Sequence, residues 1–210
     1  MTRMDGRLLD REAVPNGGGR RGARGARTST DGRRLEREAE AIRWHLGLQD
    51  TDRLDPLRLA AAVPARVVTP DDFCDELLAR RLRSVAWDGA ALHVGGELVI
   101  VLNPARPPAR RTATLMEELA HPLLGHEPSR IAADRGTGVL RRSYDQAQER
   151  EAFELGATLL LPRAYLAVAV RARRRASAIA RDVGCSEALV RYRLGRAGLT
   201  RRYARYARAA

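Results

Sequence analysis

The sequence has 210 residues, enough to bury the core of one ordinary domain with further segments at its ends. The N-terminus has arginine and glycine where a secretory signal needs an apolar core, and no run of about 18 apolar residues occurs. We therefore expect a cytoplasmic protein without a membrane segment. Two cysteines far apart, Cys74 and Cys185, indicate free thiols, with a single disulfide as the alternative.

Charge is distributed unevenly along the chain, whose formal net charge is +12 and whose 38 basic residues are all arginine. Residues 1–34 hold 9 arginines against 4 acids, residues 35–162 hold 16 against 20, and residues 163–210 hold 13 against 2. The mildly acidic middle suits a cation site. The glycine and arginine run within residues 1–33 predicts a disordered tail, because it has almost nothing to bury.

The chain from about residue 34 to Leu82 is predicted to be mainly helical. Apolar residues at helical spacing predict one over about 34–46, namely Leu35, Ala39, Ile42 and Leu46. Asp55 followed by Pro56 predicts the start of a short helix through Val63, and a short strand is expected over 65–69. A further helix begins near Thr69, with an apolar face that we expect to point into the core, consisting of Phe73, Leu77, Leu78 and Leu82.

From Ser84 the sequence changes to the periodicity of β-strands. The predicted strands are Ser84–Trp87, Ala90–Val94 and Glu97–Leu102, separated by the two-residue hairpin signals Asp88-Gly89 and Gly95-Gly96. They predict a small three-stranded antiparallel sheet. If an extended peptide pairs with this sheet, Ile100–Asn103 is the predicted substrate edge.

The motif Glu117-Glu118-x-x-His121 lies on the next predicted helix. Residues four apart project toward one point on a helix, so Glu117 and His121 can bind one metal ion. Glu118, about 100° further round, can take a proton from metal-bound water. This is the H-E-x-x-H pattern of zinc peptidases with glutamate as first ligand, which suits Zn²⁺ and also Mn²⁺ or Fe²⁺. Pro122 predicts that the helix kinks or ends just after His121.

A second predicted helix, over 146–160, carries the candidate third ligand Glu151. By helical geometry we expect Glu149 to face away, Glu154 to lie near the metal without binding it, and His126 to be a capping or structural residue. Between the two helices, residues 127–144 are expected to form an irregular loop along the cleft. Such an E-E-x-x-H pattern also occurs by chance on solvated helices, so the motif alone does not establish a metal site.

The C-terminal segment has the layout of a helix-turn-helix. Helices are predicted over 178–183 and 186–194, with Ser186 as the N-cap of the second. Arg191, Arg193 and Arg196 lie on or after that helix, where they can contact DNA phosphates. Alternatively the two helices pack on the rest of the protein and their arginines are solvated.

Two separated motifs, L-M-E-E-L-A-H-P-L-L-G-H at 115–126 and E-A-F-E-L-G-A-T-L-L-L-P at 151–162, resemble those of the ImmA/IrrE family of metallo-endopeptidases. The resemblance covers roughly residues 33–199. It implies that His121 and Glu151 bind the metal, that Glu117 stands where the family usually has histidine, and that Glu118 is the general base. Phe153 stands where the family usually has asparagine.

The fold class that this resemblance implies is α+β. A zincin-like metallopeptidase domain over 34–165 is expected, followed by a basic helix-turn-helix-like segment over 166–210. The implied function is cleavage of a regulatory protein, in particular a helix-turn-helix repressor, with one divalent metal. Because Glu117 and Glu151 are both anionic, the metal would be a weaker Lewis acid than at a two-histidine site. The alternatives are DNA binding and a catalytically silent regulatory module.

Overall fold

The computed structural model of the protein describes residues 24–126, 131–133, 140–142 and 145–207. Its helices are α1 (Arg24–His45), α2 (Pro56–Ala62), α3 (Glu76–Ser84), α4 (Pro108–Leu123), α5 (Gln146–Leu160), α6 (Arg163–Arg171), α7 (Ala176–Val183), α8 (Glu187–Arg196) and α9 (Thr200–Ala207). Its strands are β1 (Ala65–Val68), β2 (Gly89–Val94), β3 (Glu97–Leu102), β4 (Ile131–Ala133) and β5 (Leu140–Arg142). The fold class is therefore α+β, as predicted.

Several helices begin where their capping residues predict. The Asp55 carboxylate accepts a hydrogen bond from the Leu57 amide at 2.9 Å, and the Ser186 hydroxyl accepts one from Leu189 at 3.1 Å. Helix α1 begins at Arg24, about ten residues earlier than the helix predicted from apolar spacing. The rest of the predicted disordered tail, residues 1–23, lies outside the described residues.

The three-stranded sheet is mixed, in the order β1-β3-β2, with β1 parallel and β2 antiparallel to β3. The prediction of three antiparallel strands was wrong because residues 84–87 do not form a strand. Helix α3 continues through Ser84, and the Trp87 indole N–H donates to the Leu82 carbonyl. The third strand is β1, which was predicted as a strand but not as a member of this sheet.

Strand β3 is the central strand, so the predicted substrate edge at Ile100–Asn103 was also wrong. All but the first residue of β3 are buried, as expected for a strand covered on both faces. The outer strand β2 has no such cover, because Leu92 is 41% exposed and Val94 is 55% exposed. Within the described residues, β1 and β2 are the two outer strands of this sheet, and β2 is the one that contacts α4.

The apolar face of α3 is not part of the core. Phe73, Leu77 and Leu78 are 60%, 71% and 46% exposed, contrary to the prediction that they point inward. Of the residues in α3 itself, only Ala79 is buried. Helical periodicity shows that apolar residues share a face, but it does not show that another element covers that face.

Residues 127–144 contain a short two-stranded antiparallel sheet, β4 with β5, where an irregular loop was expected. The predicted role of this stretch as a wall of the cleft lies outside the described residues.

One cluster of buried apolar side chains extends from Leu35 in α1 to Leu199, just before α9. It includes Ile179 of α7 and Val190 of α8, so these C-terminal helices share the core of the preceding domain. Among the described helices, none is both long and apolar enough to cross a membrane by itself; α5 and α6 reach that composition only as a pair bent by 47°.

Candidate active site

Helix α4 carries the E-E-x-x-H motif on the border between its buried and accessible faces. Its apolar residues Leu115, Met116 and Leu119 are at most 5% exposed, which fixes the rotation of the helix against the core. Glu118 is buried at 8% exposure, whereas Glu117 and His121 are half-buried. The helix does not end at Pro122 but continues to Leu123, since a proline so near the end costs few helical hydrogen bonds.

Helices α4 and α5 cross at Gly156. A Cβ atom built on Gly156 would lie 2.8 Å from the Met116 carbonyl oxygen, so no other residue fits there without displacing one of the helices. Glu149 precedes Gly156 by seven residues and so lies within about 20° of the same helix face. The crossing therefore turns Glu149 toward α4.

His121 and Glu149 are in contact across this crossing. The Nε2 atom of His121 lies 3.7 Å from Oε2 of Glu149, and both side chains are less than a fifth exposed. The prediction that Glu149 faces away was wrong, because the close contact at Gly156 sets the face of α5 that meets α4. The seven-residue spacing to Gly156 was the sequence signal that could have found this residue.

Further carboxylates lie near the contact between His121 and Glu149. Burial, together with the negative charges of Glu118 and Glu149, raises the pKa of Glu117 to about 7, although Arg110 partly offsets these charges. Such mutual repulsion is what a bound cation would relieve.

Glu151 lies on the other side of α5, about 200° from Glu149 by helical geometry. Its carboxylate forms an ion pair with Arg34 of α1, and its Oε2 atom lies 3.4 Å from Nε2 of His126. Its predicted role as third ligand stays a prediction, while the contact with His121 identifies Glu149 as a second candidate. His126 was predicted to be structural; its Nδ1 atom lies 3.1 Å from Nδ1 of His121.

Among the described residues, no three histidine, cysteine, aspartate or glutamate side chains are gathered closely enough to form a ready metal cluster. The donor types nevertheless fit a divalent cation, because His121 and Glu149 already touch and Glu117 lies one turn before His121. Two carboxylates and one imidazole suit Zn²⁺, Mn²⁺ or Fe²⁺. The other histidines, His45 and His93, are exposed.

Glu154, which was predicted to lie near the metal without binding it, contacts helix α8. It accepts hydrogen bonds from the Tyr192 hydroxyl and from Nε of Arg196, the latter at 3.0 Å. The ring of Phe153 lies 5.4 Å from that of Tyr192. Glu154 and Phe153 therefore join α5 to α8, so Phe153, which stands where the resemblance implies asparagine, serves helix packing here.

The three arginines that were predicted to face DNA have different environments. Arg193 is 2% exposed and binds the carboxylate of Glu36 at 2.6 Å and the Leu161 carbonyl at 3.2 Å, so it cannot contact a phosphate. Arg196 pairs with Glu154, as above. Arg191 is 64% exposed and pairs with Glu187 on its own helix.

An α+β fold in which an E-E-x-x-H helix crosses a second acidic helix is the arrangement expected of a metal-dependent peptidase. The family model described as Peptidase M78, IrrE N-terminal-like domain, matches residues 76–195, which is more than half of the chain. The chain therefore belongs to this family of peptidases, and the resemblance seen in its sequence is confirmed. Searches of curated proteins and of solved structures gave no match.

Family membership supports a metallopeptidase-type function and implies a divalent metal. The matched residues run through α6 and α7 and most of α8. They therefore continue beyond the predicted domain boundary at residue 165.

Proposed function

We propose that the protein is a metal-dependent endopeptidase of the ImmA/IrrE type that cleaves a regulatory, repressor-like protein. The observation that carries this proposal is the contact between His121 and Glu149 at the crossing of α4 and α5, with Glu117 and Glu118 beside it. Glu117, His121 and one carboxylate of α5 would hold the metal. We favour Glu149 for that carboxylate because its oxygen faces His121 Nε2, whereas Glu151 faces His126 and Arg34.

A divalent metal bound there would polarise the scissile carbonyl and acidify the attacking water. Glu118 would accept the proton of that water and pass it to the leaving amine. Glu118 is only 8% exposed, so bulk water would have little access to this proton transfer. Two carboxylate ligands make the cation less electron-withdrawing than a two-histidine site does, so we expect slow hydrolysis.

The substrate would add as a strand to β2. Strand β2 is the outer strand next to α4, since a Cβ atom on Gly89 would lie only 2.6 Å from the Thr114 methyl group. Its outer edge has no partner within the described sheet, so its backbone groups can pair with an extended peptide. Thr114 lies one helical turn before Glu117 and Glu118, which would bring such a peptide alongside the acidic residues.

Metal content and hydrolysis of a fluorogenic peptide library test the proposal. The wild type should hold one Zn²⁺ per chain and His121→Ala should hold none. Glu118→Gln should keep the metal and lose hydrolysis by at least about 100-fold. Arg150→Ala, an exposed neighbour on α5, is the matched control. Hydrolysis that survives Glu118→Gln would rule out the proposed base.

The same measurements separate the two candidates for the third ligand. Glu149→Gln should lose the metal, whereas Glu151→Gln should only weaken its binding. The reverse result would restore Glu151 as the ligand that the family resemblance implies.

DNA binding through the C-terminal helices is the second candidate function. It is favoured by exposed arginines on this part of the chain, namely Arg171, Arg175, Arg181, Arg191, Arg201, Arg202 and Arg205. It is weakened by the burial of Arg193 and the pairing of Arg196. The third candidate function is that of a catalytically silent regulatory module. In that case the purified protein should contain no metal.

A further inference from the structure

A continuous line of polar contacts leads from His121 to Arg34 of α1. Nδ1 of His121 lies 3.1 Å from Nδ1 of His126, Nε2 of His126 lies 3.4 Å from Oε2 of Glu151, and the other oxygen of Glu151 pairs with Arg34. The His126 side chain is only 8% exposed. Three elements, namely α1, the end of α4 and α5, therefore meet behind His121.

The turn after α4 places His126 in this position. Gly125 has a φ of +67°, and its amide donates to the Pro122 carbonyl, while the His126 amide donates to the His121 carbonyl at 3.0 Å. This is the hydrogen-bond pattern of a Schellman motif. The left-handed glycine reverses the chain, so His126 returns against His121 and does not point away from it as it would on a continuous helix.

The contact between the two rings restricts their protons. Two Nδ1 atoms at 3.1 Å form a hydrogen bond only when one carries a proton and the other accepts it. The Nε2 atom of His121 faces Glu149 and can bind a metal only through its lone pair, which leaves the proton of His121 on Nδ1. His126 must then accept at Nδ1 and carry its own proton at Nε2, where the Glu151 carboxylate can accept it.

We propose that His126 is a positioning residue for the metal ligand His121, and that Glu151, anchored by Arg34, fixes the tautomer of His126. This inference rests on the proposed metal site. Groups that accept the second ring proton of a metal-binding histidine orient the ring and raise its basicity, and their loss typically weakens metal binding about 10–100-fold. In this arrangement Glu151 acts on the metal through two histidines.

The test is the affinity of the full-length protein for Zn²⁺, measured by competition with a chromophoric chelator. His126→Leu should weaken binding about 10–100-fold. His126→Asn should stay within a few-fold of the wild type, because its side-chain oxygen can replace Nδ1 as acceptor. Glu151→Ala should weaken binding in the wild-type background and have no further effect in the His126→Leu background. Arg150→Ala is the matched control on α5.

The outcomes distinguish this inference from the proposed function. Normal Zn²⁺ affinity in His126→Leu would overturn the positioning role alone. Complete loss of binding in Glu151→Ala, equal in both backgrounds, would make Glu151 a direct ligand and also overturn it. A wild type that binds no Zn²⁺ would overturn the proposed function and this inference together. The Glu151 side chain is one-third exposed, so Glu151→Ala gives a result even if His126→Leu does not fold.

Discussion

In the C-terminal segment, arginines pair with carboxylates, in one case from a distant part of the chain, whereas at the crossing of α4 and α5 carboxylates meet one another. Arg193 binds Glu36 and Arg174 binds Asp182 at 3.0 Å, so these charges are compensated and hold helices together. Glu117 instead lies near the carboxylates of Glu118 and Glu149, and burial together with these charges raises its pKa. The paired charges of the C-terminal segment therefore stabilise the fold. The carboxylates that repel one another at the crossing of α4 and α5 identify the candidate site.

Because of this difference, the numbers of basic and acidic residues in each segment need a different interpretation. The excess of arginine after residue 162 suggested a nucleic-acid surface, yet part of that excess stabilises the interior. Three acids of the middle segment, Glu117, Glu118 and Glu149, lie together at one helix crossing, where Arg110 only partly offsets their charge. Where a charged residue lies relative to its partner therefore says more about function than the number of charged residues in a segment.

The largest expected effect concerns a compensated charge. Arg193→Met should lower the free energy of unfolding by about 3–5 kcal/mol, because it leaves Glu36 charged and largely buried without its partner. Urea unfolding measures the change. Arg191→Met is the matched control, since its exposed pair with Glu187 is worth no more than about 0.5 kcal/mol. Equal losses in the two variants would show that Arg193 is not a structural charge.

The next effect concerns the crossing that gathers the carboxylates. Gly156→Ala places a methyl group 2.8 Å from the Met116 carbonyl oxygen, so α4 and α5 must separate. We expect a loss of about 1–3 kcal/mol in unfolding free energy together with weaker Zn²⁺ binding. Calorimetry and chelator competition measure the two changes.

Gly195→Ala is the control for that variant. Its Cβ atom would meet only the Thr200 hydroxyl at 3.8 Å, so it should stabilise α8 by up to about 1 kcal/mol through helix propensity. Opposite signs for the two glycines are expected. A loss of stability in Gly156→Ala without any change in Zn²⁺ affinity would separate the crossing from the site.

Helices α2, α5, α7 and α8 and the motif on α4 could be predicted from the sequence because they depend on local periodicity and capping, whereas α6 and α9 were not predicted. Asp55, Asp145 and Ser186 each cap the helix that follows them. The parallel pairing of β1 with β3 could not be predicted, because it depends on contacts across more than 30 residues and not on a hairpin turn.

The candidate site was only half predictable for a related reason. Glu117, Glu118 and His121 lie on one helix, so their mutual arrangement follows from its period. The choice between Glu149 and Glu151 depends on which face of α5 meets α4, and Gly156 decides this through a backbone contact. His126 depends on the left-handed turn at Gly125. Arg193 finds its partner 157 residues away, a distance at which local patterns carry no information.

A smaller effect should appear in the pH dependence of the chelator-treated protein. The pKa of Glu117 is raised from its ordinary 4.5 to about 7 on folding, so the folded state holds this proton more tightly than the unfolded state does. Its contribution to stability is complete below about pH 4.5 and is lost as the pH rises through about 7. Glu117→Gln should remove about 2 kcal/mol of this dependence, after a reduction for solvent screening.

Urea unfolding of the chelated protein between pH 5 and pH 8 measures this dependence. The wild type should lose stability over that range relative to Glu117→Gln, and added Zn²⁺ should reverse the loss because it binds the ionised carboxylate. Parallel profiles for the two proteins would show that the carboxylates at the crossing do not repel one another as proposed.

The smallest effect is expected at the surface of α8. Of the arginines that were predicted to reach DNA, only Arg191 is free of a contact with another helix within the described residues, so α8 can supply about one phosphate contact. One contact changes the slope of log affinity against log salt by about 0.9. Arg191→Gln should therefore alter the slope for a short duplex by no more than that, with Arg150→Gln on α5 as control. Tight binding at physiological salt that loses several units of slope in this variant would contradict the structural role assigned to the C-terminal arginines.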